Sequence, residues 1–134
     1  SNPNDGTLLL VLDQEIQDAS PLPTKVIPGT SFVVDGFKHA CEPQNATYFL
    51  SHAHSDHYYG LSKKWRRGPI YCTQITANVI TDRLQVNRSY VHVLHLNQIY
   101  TIDGVEVTLV DANHCPGAAM FLFKLSDGRT YVHC

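Results

Sequence analysis

The chain has 134 residues, of which 43% are hydrophobic and 16% charged, and its formal net charge is −2. This length and composition suit one globular domain and exclude a disordered chain. The small net charge gives no overall attraction for nucleic acid, so such a partner would have to bind a local patch. No apolar run could span a bilayer and the first residues lack a secretory pattern, so we expect an intracellular protein.

Residues 1–28 are predicted to form an approach segment or linker, and residues 29–134 to form the domain. The first segment is rich in turn-forming residues and its prolines interrupt regular elements, although residues 8–12 could form a short strand. Beyond it, short apolar runs predict strands at 32–34, 47–50, 70–72 and 91–96.

Two helices are predicted between these strands. The first covers 57–65 and has apolar residues at helical spacing, namely Tyr58, Leu61 and Trp65. The second is capped by Thr73 and runs to about Arg83. Its predicted inner face consists of Ile75, Val79, Ile80 and Leu84. Two hairpins follow, with turns at Asp103-Gly104 and Asp127-Gly128. This succession favours a layered α/β sandwich.

The segment 52–57 places four potential metal ligands within six residues, namely His52, His54, Asp56 and His57. Such a cluster is expected by chance only about 0.002 times in a chain of this composition. Residues two apart in an extended segment share a face, so His52 and His54 are predicted to reach one metal ion. A turn at Ser55 would direct Asp56 and His57 at a neighbouring point, which indicates two adjacent sites as in two-metal hydrolases.

Each predicted site needs at least one more ligand from distant sequence. The best candidate is His114, which follows a predicted strand and precedes the turn-forming pair Pro116-Gly117. Asp35, at the end of strand 32–34, is placed either to hold a ligand histidine by its second ring nitrogen or to cap the strand. The remaining histidines are predicted to be structural: His39, His92, His95 and His133.

One basic cluster surrounds Trp65 and consists of Lys63, Lys64, Arg66 and Arg67. It is interpreted either as a solvated surface or as a weak nucleic-acid contact in which Trp65 could support a nucleotide. The four cysteines are scattered, which favours reduced thiols. Cys115, beside His114, is a weak candidate for a nucleophile.

These segments together resemble the motifs of the metallo-β-lactamase superfamily, and within it the DNA-repair branch of the β-CASP nucleases. Residues 32–35 resemble the first motif, residues 51–58 the second and residues 111–118 the third. The Asn-His-Cys-Pro-Gly-Ala run in the third segment is what resembles the DNA-repair branch. The stretch from Gly60 to Trp65 resembles plant members, so a plant DNA ligase carrying this module is one candidate parent.

The resemblance implies the N-terminal part of an αββα sandwich, with a mixed sheet and helices on the outside. It also implies one or two zinc ions. The implied ligands are His52, His54 and His114 for the first ion, and Asp56 and His57 for the second. Two carboxylates would serve catalysis: Asp56 would accept a proton from the bound water, and Asp35 would order the ligands.

The implied activity is phosphodiester hydrolysis by a 5′-exonuclease acting on single-stranded or duplex DNA ends. Its implied setting is the nucleus, in repair of interstrand cross-links or double-strand breaks. The family's fourth motif and its β-CASP region are not among these residues, so domain 29–134 is partial, and we expect the full-length parent to be active and these 134 residues alone to be inactive. The alternatives are another hydrolase of this fold, such as an RNA nuclease or a thioesterase, and a non-catalytic truncated isoform.

Overall fold

The computed structural model describes residues 14–17, 19–21, 25–38, 45–112 and 117–133. Its regular elements are, in chain order, β1 (Ser20–Pro21), β2 (Phe32–Val34), β3 (Thr47–Phe49), α1 (Ser55–Tyr58), β4 (Ile70–Cys72), α2 (Gln74–Asp82), a 3-10 turn (Arg88–Tyr90), β5 (Val91–Val93), β6 (Ile99–Ile102), β7 (Val105–Asp111), β8 (Ala119–Lys124) and β9 (Thr130–His133). Residues 14–17 are also helical. The strand predicted at 8–12 lies outside the described residues.

One sheet is entirely parallel and has the strand order β2-β3-β4-β5. Parallel strands need crossover connections, and these contain α1 between β3 and β4 and α2 between β4 and β5. Strands β2 and β3 are buried along their whole length, as expected where both faces of a sheet are covered. The first three predicted strands are confirmed, whereas β5 ends at Val93 and is shorter than predicted.

The second sheet has the order β1-β9-β8-β7-β6 and is mixed, because β1 runs parallel to β9 while the other pairs are antiparallel. Both predicted hairpins are confirmed. Between β6 and β7, Asp103 and Gly104 have φ values of 49° and 78°, as a two-residue turn with both central residues at positive φ requires. Strand β1 comes from residues 1–28, so part of that segment contributes an edge strand to the sheet.

The main hydrophobic core lies between the two sheets. Phe32 and Val34 face it from β2, since alternate residues of a strand share a side. Phe121 and Phe123 face it from β8 in the same way. The ring of Phe49 lies 5.5 and 5.1 Å from these two rings, centroid to centroid, in edge-to-face geometry. Such aromatic pairs contribute about 0.5–1.5 kcal/mol beyond their buried area.

Helical segments cover the outer faces of both sheets. Val33 and Tyr48, which alternate with residues of the main core, belong to a second cluster that includes Ile80 of α2. On the opposite side, Leu122 of β8 packs with Ile16 from the helical turn that precedes β1. The layers therefore follow the order helix, sheet, sheet, helix, which confirms the predicted αββα sandwich.

The helix predicted over 57–65 is wrong. Helix α1 ends at Tyr58, and Gly60 has a φ of +105°, which interrupts any helix at this point. A Cβ atom at Gly60 would lie 2.5 Å from the carbonyl oxygen of Phe37. Trp65 is nevertheless buried, because its loop packs into the second cluster beside α2.

Helix α2 agrees with its predicted bounds to within one residue. Thr73 is its N-cap, and the Thr73 side chain accepts a hydrogen bond from the N–H of Thr76, as the sequence predicts for a capping threonine. With nine residues it is the longest helix in the described part of the chain, where none is long and apolar enough to cross a membrane.

The predicted inner face of α2 is partly wrong. Ile75 is 51% exposed, whereas Thr76, Ala77 and Ile80 are buried. Thr76 can face inward because its hydroxyl donates a hydrogen bond to the carbonyl oxygen of Gly117 at 3.2 Å. This bond offsets the cost of removing a hydroxyl from water, so a polar residue takes the place that the apolar pattern assigned to Ile75.

Replacing Gly60 by alanine is expected to lower the free energy of unfolding by more than about 2 kcal/mol, measured by urea denaturation. The left-handed conformation costs an alanine about 1–2 kcal/mol, and the contact with Phe37 adds to it. Gly104→Ala is the matched control, because Gly104 also has a positive φ but no atom within 4 Å of an added Cβ. An equal loss of unfolding free energy in the two variants would contradict the steric conflict with the Phe37 carbonyl oxygen.

Candidate metal centre

The candidate site lies where two neighbouring strands of the parallel sheet, β2 and β3, end. β2 and β3 pair in register, with Val34 opposite Phe49, so the residues that follow both strands leave the sheet at one edge. Asp35 directly follows β2, and its N–H donates to the carbonyl oxygen of Phe49 at 2.9 Å. The histidine-rich segment 52–57 follows β3 and therefore begins beside Asp35.

Asp35 adopts a left-handed backbone conformation, with a φ of 52°. Aspartate is one of the few non-glycine residues that enter this region readily. Its carboxylate is buried, and one of its oxygens, Oδ1, accepts a hydrogen bond from Ser51 N at 2.8 Å. The other, Oδ2, accepts from Ser51 Oγ at 2.6 Å.

Two imidazoles meet the same oxygen of Asp35. Oδ2 lies 2.8 Å from His57 Nδ1 and 3.1 Å from His133 Nε2. An ionised carboxylate only accepts hydrogen bonds, so each of these ring nitrogens donates an N–H to it. The carboxylate thereby connects the loop after β3, helix α1 and the end of β9.

The pKa of the Asp35 carboxyl is lowered from its ordinary value of 3.8. Burial alone raises this pKa, because desolvation penalises the charged form. The hydrogen bonds from His133, Ser51 and His57 outweigh burial and hold the pKa down. Asp35 is therefore a buried, ionised group at neutral pH, which fits the ordering role predicted for it.

The histidines of segment 52–57 gather around His52. The ring centroid of His52 lies 4.5 Å from that of His54 and 3.9 Å from that of His57. His52 Nδ1 is within 2.9 Å of Ser51 Oγ. His54 is exposed and His57 half-buried, so solvent reaches the cluster at these two rings.

Asp56 and His57 form a pair with the spacing of two metal ligands. Asp56 Oδ2 lies 3.4 Å from His57 Nε2. Two ligands on a tetrahedral zinc ion, each about 2.0–2.2 Å from it, are separated by roughly 3.4 Å. The donor set of imidazoles and a carboxylate also suits zinc. In the described part of the chain, however, no three histidine, cysteine, aspartate or glutamate side chains are arranged to hold a metal ion.

His114, the predicted ligand from distant sequence, lies outside the described residues, so the complete ligand set stays a prediction. The residues on either side of its segment are described. Ala112 N donates to the carbonyl oxygen of Ala118 at 3.1 Å, and Ala119 N donates to the carbonyl oxygen of Ser51 at 2.8 Å. Ala119, which follows the segment, therefore lies next to Ser51, the residue that precedes His52.

His133, predicted from the sequence to be structural, lies at the candidate site. It ends β9, and its Nε2 contacts Asp35 across 98 positions of sequence. Residues two apart in a strand share a face, and Tyr131 packs against the core between the sheets. That alternation could have placed His133 on the inner face at the end of β9 once the stacking of the sheets was known.

The basic cluster lies on an exposed loop, and the interpretation of Trp65 as a support for a nucleotide is wrong. Trp65 is buried and its Nε1–H donates to the carbonyl oxygen of Gly68 at 2.9 Å. Arg66 and Arg67 each donate to a backbone carbonyl oxygen, whereas the side chains of Lys63 and Lys64 are exposed. The role of the four cations in binding nucleic acid stays a prediction.

A cleft of about 630 Å³ opens beside the candidate site. The residues that line it include Asp35, Asp56, Lys38 and Tyr59. The ammonium group of Lys38 lies 4.7 Å from the centroid of the Tyr59 ring, and Tyr59 is 61% exposed. Phe37 is among the apolar residues that line the cleft.

The thiols provide no nucleophile in the described residues. Cys72 is buried, and burial raises its pKa to about 12, so it is protonated at neutral pH. Cys115, the weak candidate for a nucleophile, lies outside the described residues.

No family model matches the chain. Among curated relatives, it is 48% identical over 124 residues to the DNA cross-link repair protein SNM1 of Arabidopsis thaliana. The aligned stretch covers 90% of this chain and 26% of that protein. It is 46% identical to DNA ligase 6 of the same plant, over 87% of this chain and 9% of that protein. It is 45% identical to the 5′ exonuclease Apollo of Gallus gallus, over 74% of this chain and 22% of that protein. The chain spans about a quarter or less of the length of these relatives.

Solved structures of metallo-β-lactamases resemble the fold. A metallo-β-lactamase from Cronobacter sakazakii with a mutated HARLDQ motif matches with a TM-score of 0.50 and 24% identity, over 66% of this chain and 40% of that one. The subclass B3 enzyme MEM-A1 from a soil metagenome library matches with a TM-score of 0.51 and 14% identity, over 66% of this chain and 40% of that one. Likenesses at this identity show the fold alone, and the fold they show is the predicted sandwich.

Asp35→Asn is expected to lower the free energy of unfolding of the metal-free protein by about 2–4 kcal/mol at neutral pH, since hydrogen bonds to a charged group contribute about 1.5–3 kcal/mol. The folded pKa lies below the ordinary value, so this stabilisation is present above pH 3.8 and is lost as the pH falls through the folded pKa. The difference between wild type and variant should therefore shrink below about pH 4 in urea denaturation.

The exposed Asp127, which pairs with Arg129 at 2.7 Å, provides the control. Asp127→Asn is expected to leave the unfolding free energy nearly unchanged, because surface ion pairs contribute little. A loss for Asp127→Asn as large as that for Asp35→Asn would contradict the special position of the buried carboxylate.

Proposed function

Because the chain belongs to the β-CASP branch of the metallo-β-lactamase superfamily, we propose that it supplies the metal-binding part of a zinc-dependent nuclease that hydrolyses phosphodiester bonds in DNA. The gathering of His52, His54 and His57 at the ends of two parallel strands supports this function most directly. The buried Asp35 supports it further, because a carboxylate behind a ligand imidazole is the usual arrangement in metal sites.

The proposed ligands fall into two groups. His52, His54 and His114 would hold one zinc ion, and Asp56 and His57 a second one. The spacing of 3.4 Å between Asp56 Oδ2 and His57 Nε2 supports the second group. The hydrogen bond from Ala119 N to the carbonyl oxygen of Ser51 supports the first, because it joins the strand that follows His114 to the residue that precedes His52.

The residues around the ions would perform the remaining tasks. When bound, zinc supplies a water of lowered pKa and polarises a phosphoryl oxygen. Asp56 has a side chain that is 79% exposed, so its carboxylate can accept a proton from an incoming water molecule. Asp35 would not take part in proton transfer, because both its oxygens accept hydrogen bonds from the protein.

The proposed substrate is the 5′ end of a DNA strand, and the proposed role is repair of interstrand cross-links or double-strand breaks in the nucleus. The relatives named as DNA cross-link repair protein and 5′ exonuclease support this assignment. The match to a DNA ligase leaves two forms of parent protein, a separate nuclease and a nuclease module joined to a ligase. In this proposal zinc is the cofactor, DNA the substrate and the nucleus the location of one and the same activity.

The cleft beside Asp56 is the proposed position of the DNA strand next to the cleaved bond. Lys38 can neutralise a phosphate, and the exposed ring of Tyr59 can stack on a base. Lys63, Lys64, Arg66 and Arg67 would add a weaker, non-specific attraction from the neighbouring loop.

The full-length protein is expected to contain zinc by elemental analysis and to release nucleotides from 5′-phosphorylated DNA. The double substitution His52→Ala and His54→Ala should remove zinc from the site and abolish cleavage. His95→Ala, which changes an exposed histidine, is the control and should leave zinc content and cleavage unchanged. Preference for RNA or for a thioester over single- and double-stranded DNA would contradict the proposed substrate.

Tyr59→Ala in the full-length protein is expected to raise the KM for single-stranded DNA by about 5- to 150-fold, since stacking of a base on an aromatic ring contributes about 1–3 kcal/mol. Tyr59→Phe should keep a KM close to that of the wild type. Ile99→Ala is the control, because Ile99 is similarly exposed on strand β6. An unchanged KM for Tyr59→Ala would place the DNA strand outside the cleft.

A further inference from the structure

We propose that Ser51 is a positioning residue that fixes the tautomer of His52, so that His52 carries its proton on Nδ1 and presents Nε2 to the metal. This inference rests on the proposed metal site but not on its substrate. Ser51 lies between the two groups concerned: its Oγ is 2.6 Å from Asp35 Oδ2 and 2.9 Å from His52 Nδ1.

The count of protons determines the direction of both hydrogen bonds. A serine hydroxyl has one proton to donate, whereas an ionised carboxylate has none. Ser51 therefore donates its hydroxyl hydrogen bond to Asp35, which is the shorter of the two contacts. Ser51 Oγ can then only accept in its other contact, so the proton in that contact must belong to His52 Nδ1. If Nδ1 carried no proton, two acceptors would face each other at 2.9 Å.

The ionised state of Asp35, on which this count depends, is supported by its surroundings. Its oxygens receive hydrogen bonds from Ser51 N, His57 Nδ1 and His133 Nε2 in addition to the hydroxyl of Ser51. A protonated carboxyl would instead have to donate its proton to one of these neighbours.

The backbone of Ser51 keeps the hydroxyl in place. Its N–H donates to Asp35 Oδ1, and its carbonyl oxygen accepts from Ala119 N at 2.8 Å. Ser51, Asp35 and His52 are all buried, with 4%, 4% and 5% exposure, so water does not compete freely for these contacts. The hydroxyl thus has fixed partners on both sides.

One buried carboxylate thereby orients two imidazoles of the proposed site. Asp35 reaches His57 directly through Nδ1 and reaches His52 through the Ser51 hydroxyl. In both cases Nδ1 carries a proton, which leaves Nε2 as the nitrogen that can bind the metal. A free histidine side chain favours the opposite tautomer, so without Ser51 the binding of metal by His52 Nε2 would require an unfavourable shift of the proton.

The test uses the full-length protein labelled with ¹⁵N-histidine. Long-range proton–nitrogen correlation spectra of the metal-free protein identify which ring nitrogen of His52 is protonated. We expect Nδ1–H in the wild type and a shift toward Nε2–H in Ser51→Ala. Zinc affinity, measured by competition with a chelator, should fall about 10- to 100-fold in Ser51→Ala, as is usual when a group behind a metal ligand is removed.

Two further variants separate this role from a structural one. Ser51→Thr keeps the hydroxyl and should restore both the Nδ1–H tautomer and the zinc affinity. Asp35→Asn should change the His52 tautomer through Ser51, and its effect on zinc affinity should not add to that of Ser51→Ala, because the two residues act in one chain. Ser89→Ala removes an exposed hydroxyl elsewhere and is the control.

An Nε2–H tautomer of His52 in the metal-free wild type would overturn the inference, even if Ser51→Ala failed to fold. A zinc affinity within twofold of the wild type in folded Ser51→Ala would overturn it too. Neither readout involves DNA. If the protein bound zinc with the expected dependence on Ser51 but did not cut DNA, the proposed function would fail and the role of Ser51 would stand.

Discussion

The carboxylate of Asp35 is a negative charge that the fold has removed from water and surrounded with donors. Burying an unpaired charge of this kind costs several kcal/mol, so the site is stable only when its partners are in place. Those partners come from three parts of the chain: the loop after β3, helix α1 and the end of β9. The geometry of the histidine cluster therefore depends on both sheets being assembled around one acid.

The architecture explains why these parts meet. Parallel pairing of β2 and β3 brings their carboxyl ends together, which places Asp35 beside the segment that carries the histidines. The stacking of the mixed sheet on the parallel sheet then brings His133 to the same point. The hydrophobic core between the sheets has no chemical role of its own, but it sets the distance across which Asp35 and His133 make contact.

The site combines a fixed interior with an open exterior. Asp35, Ser51 and His52 are buried and connected by short hydrogen bonds, whereas Asp56 and Tyr59 are exposed at the cleft. A rigid set of ligands next to an open cleft suits hydrolysis of a long polymer, because the strand can lie along the surface while the reacting group meets groups that are already oriented. The proposed nuclease function draws on both halves of this arrangement.

The sequence alone determined the features that depend on neighbouring residues. The Asp-Gly pairs identified the two hairpins, and adjacency identified His52, His54, Asp56 and His57 as a cluster. Tertiary structure decided what depends on partners distant in sequence. The burial of Trp65, the inward position of Thr76 and the contact between His133 and Asp35 each require a neighbour from another element. Local periodicity carries no information on how two sheets stack, and that stacking fixes which side chains meet.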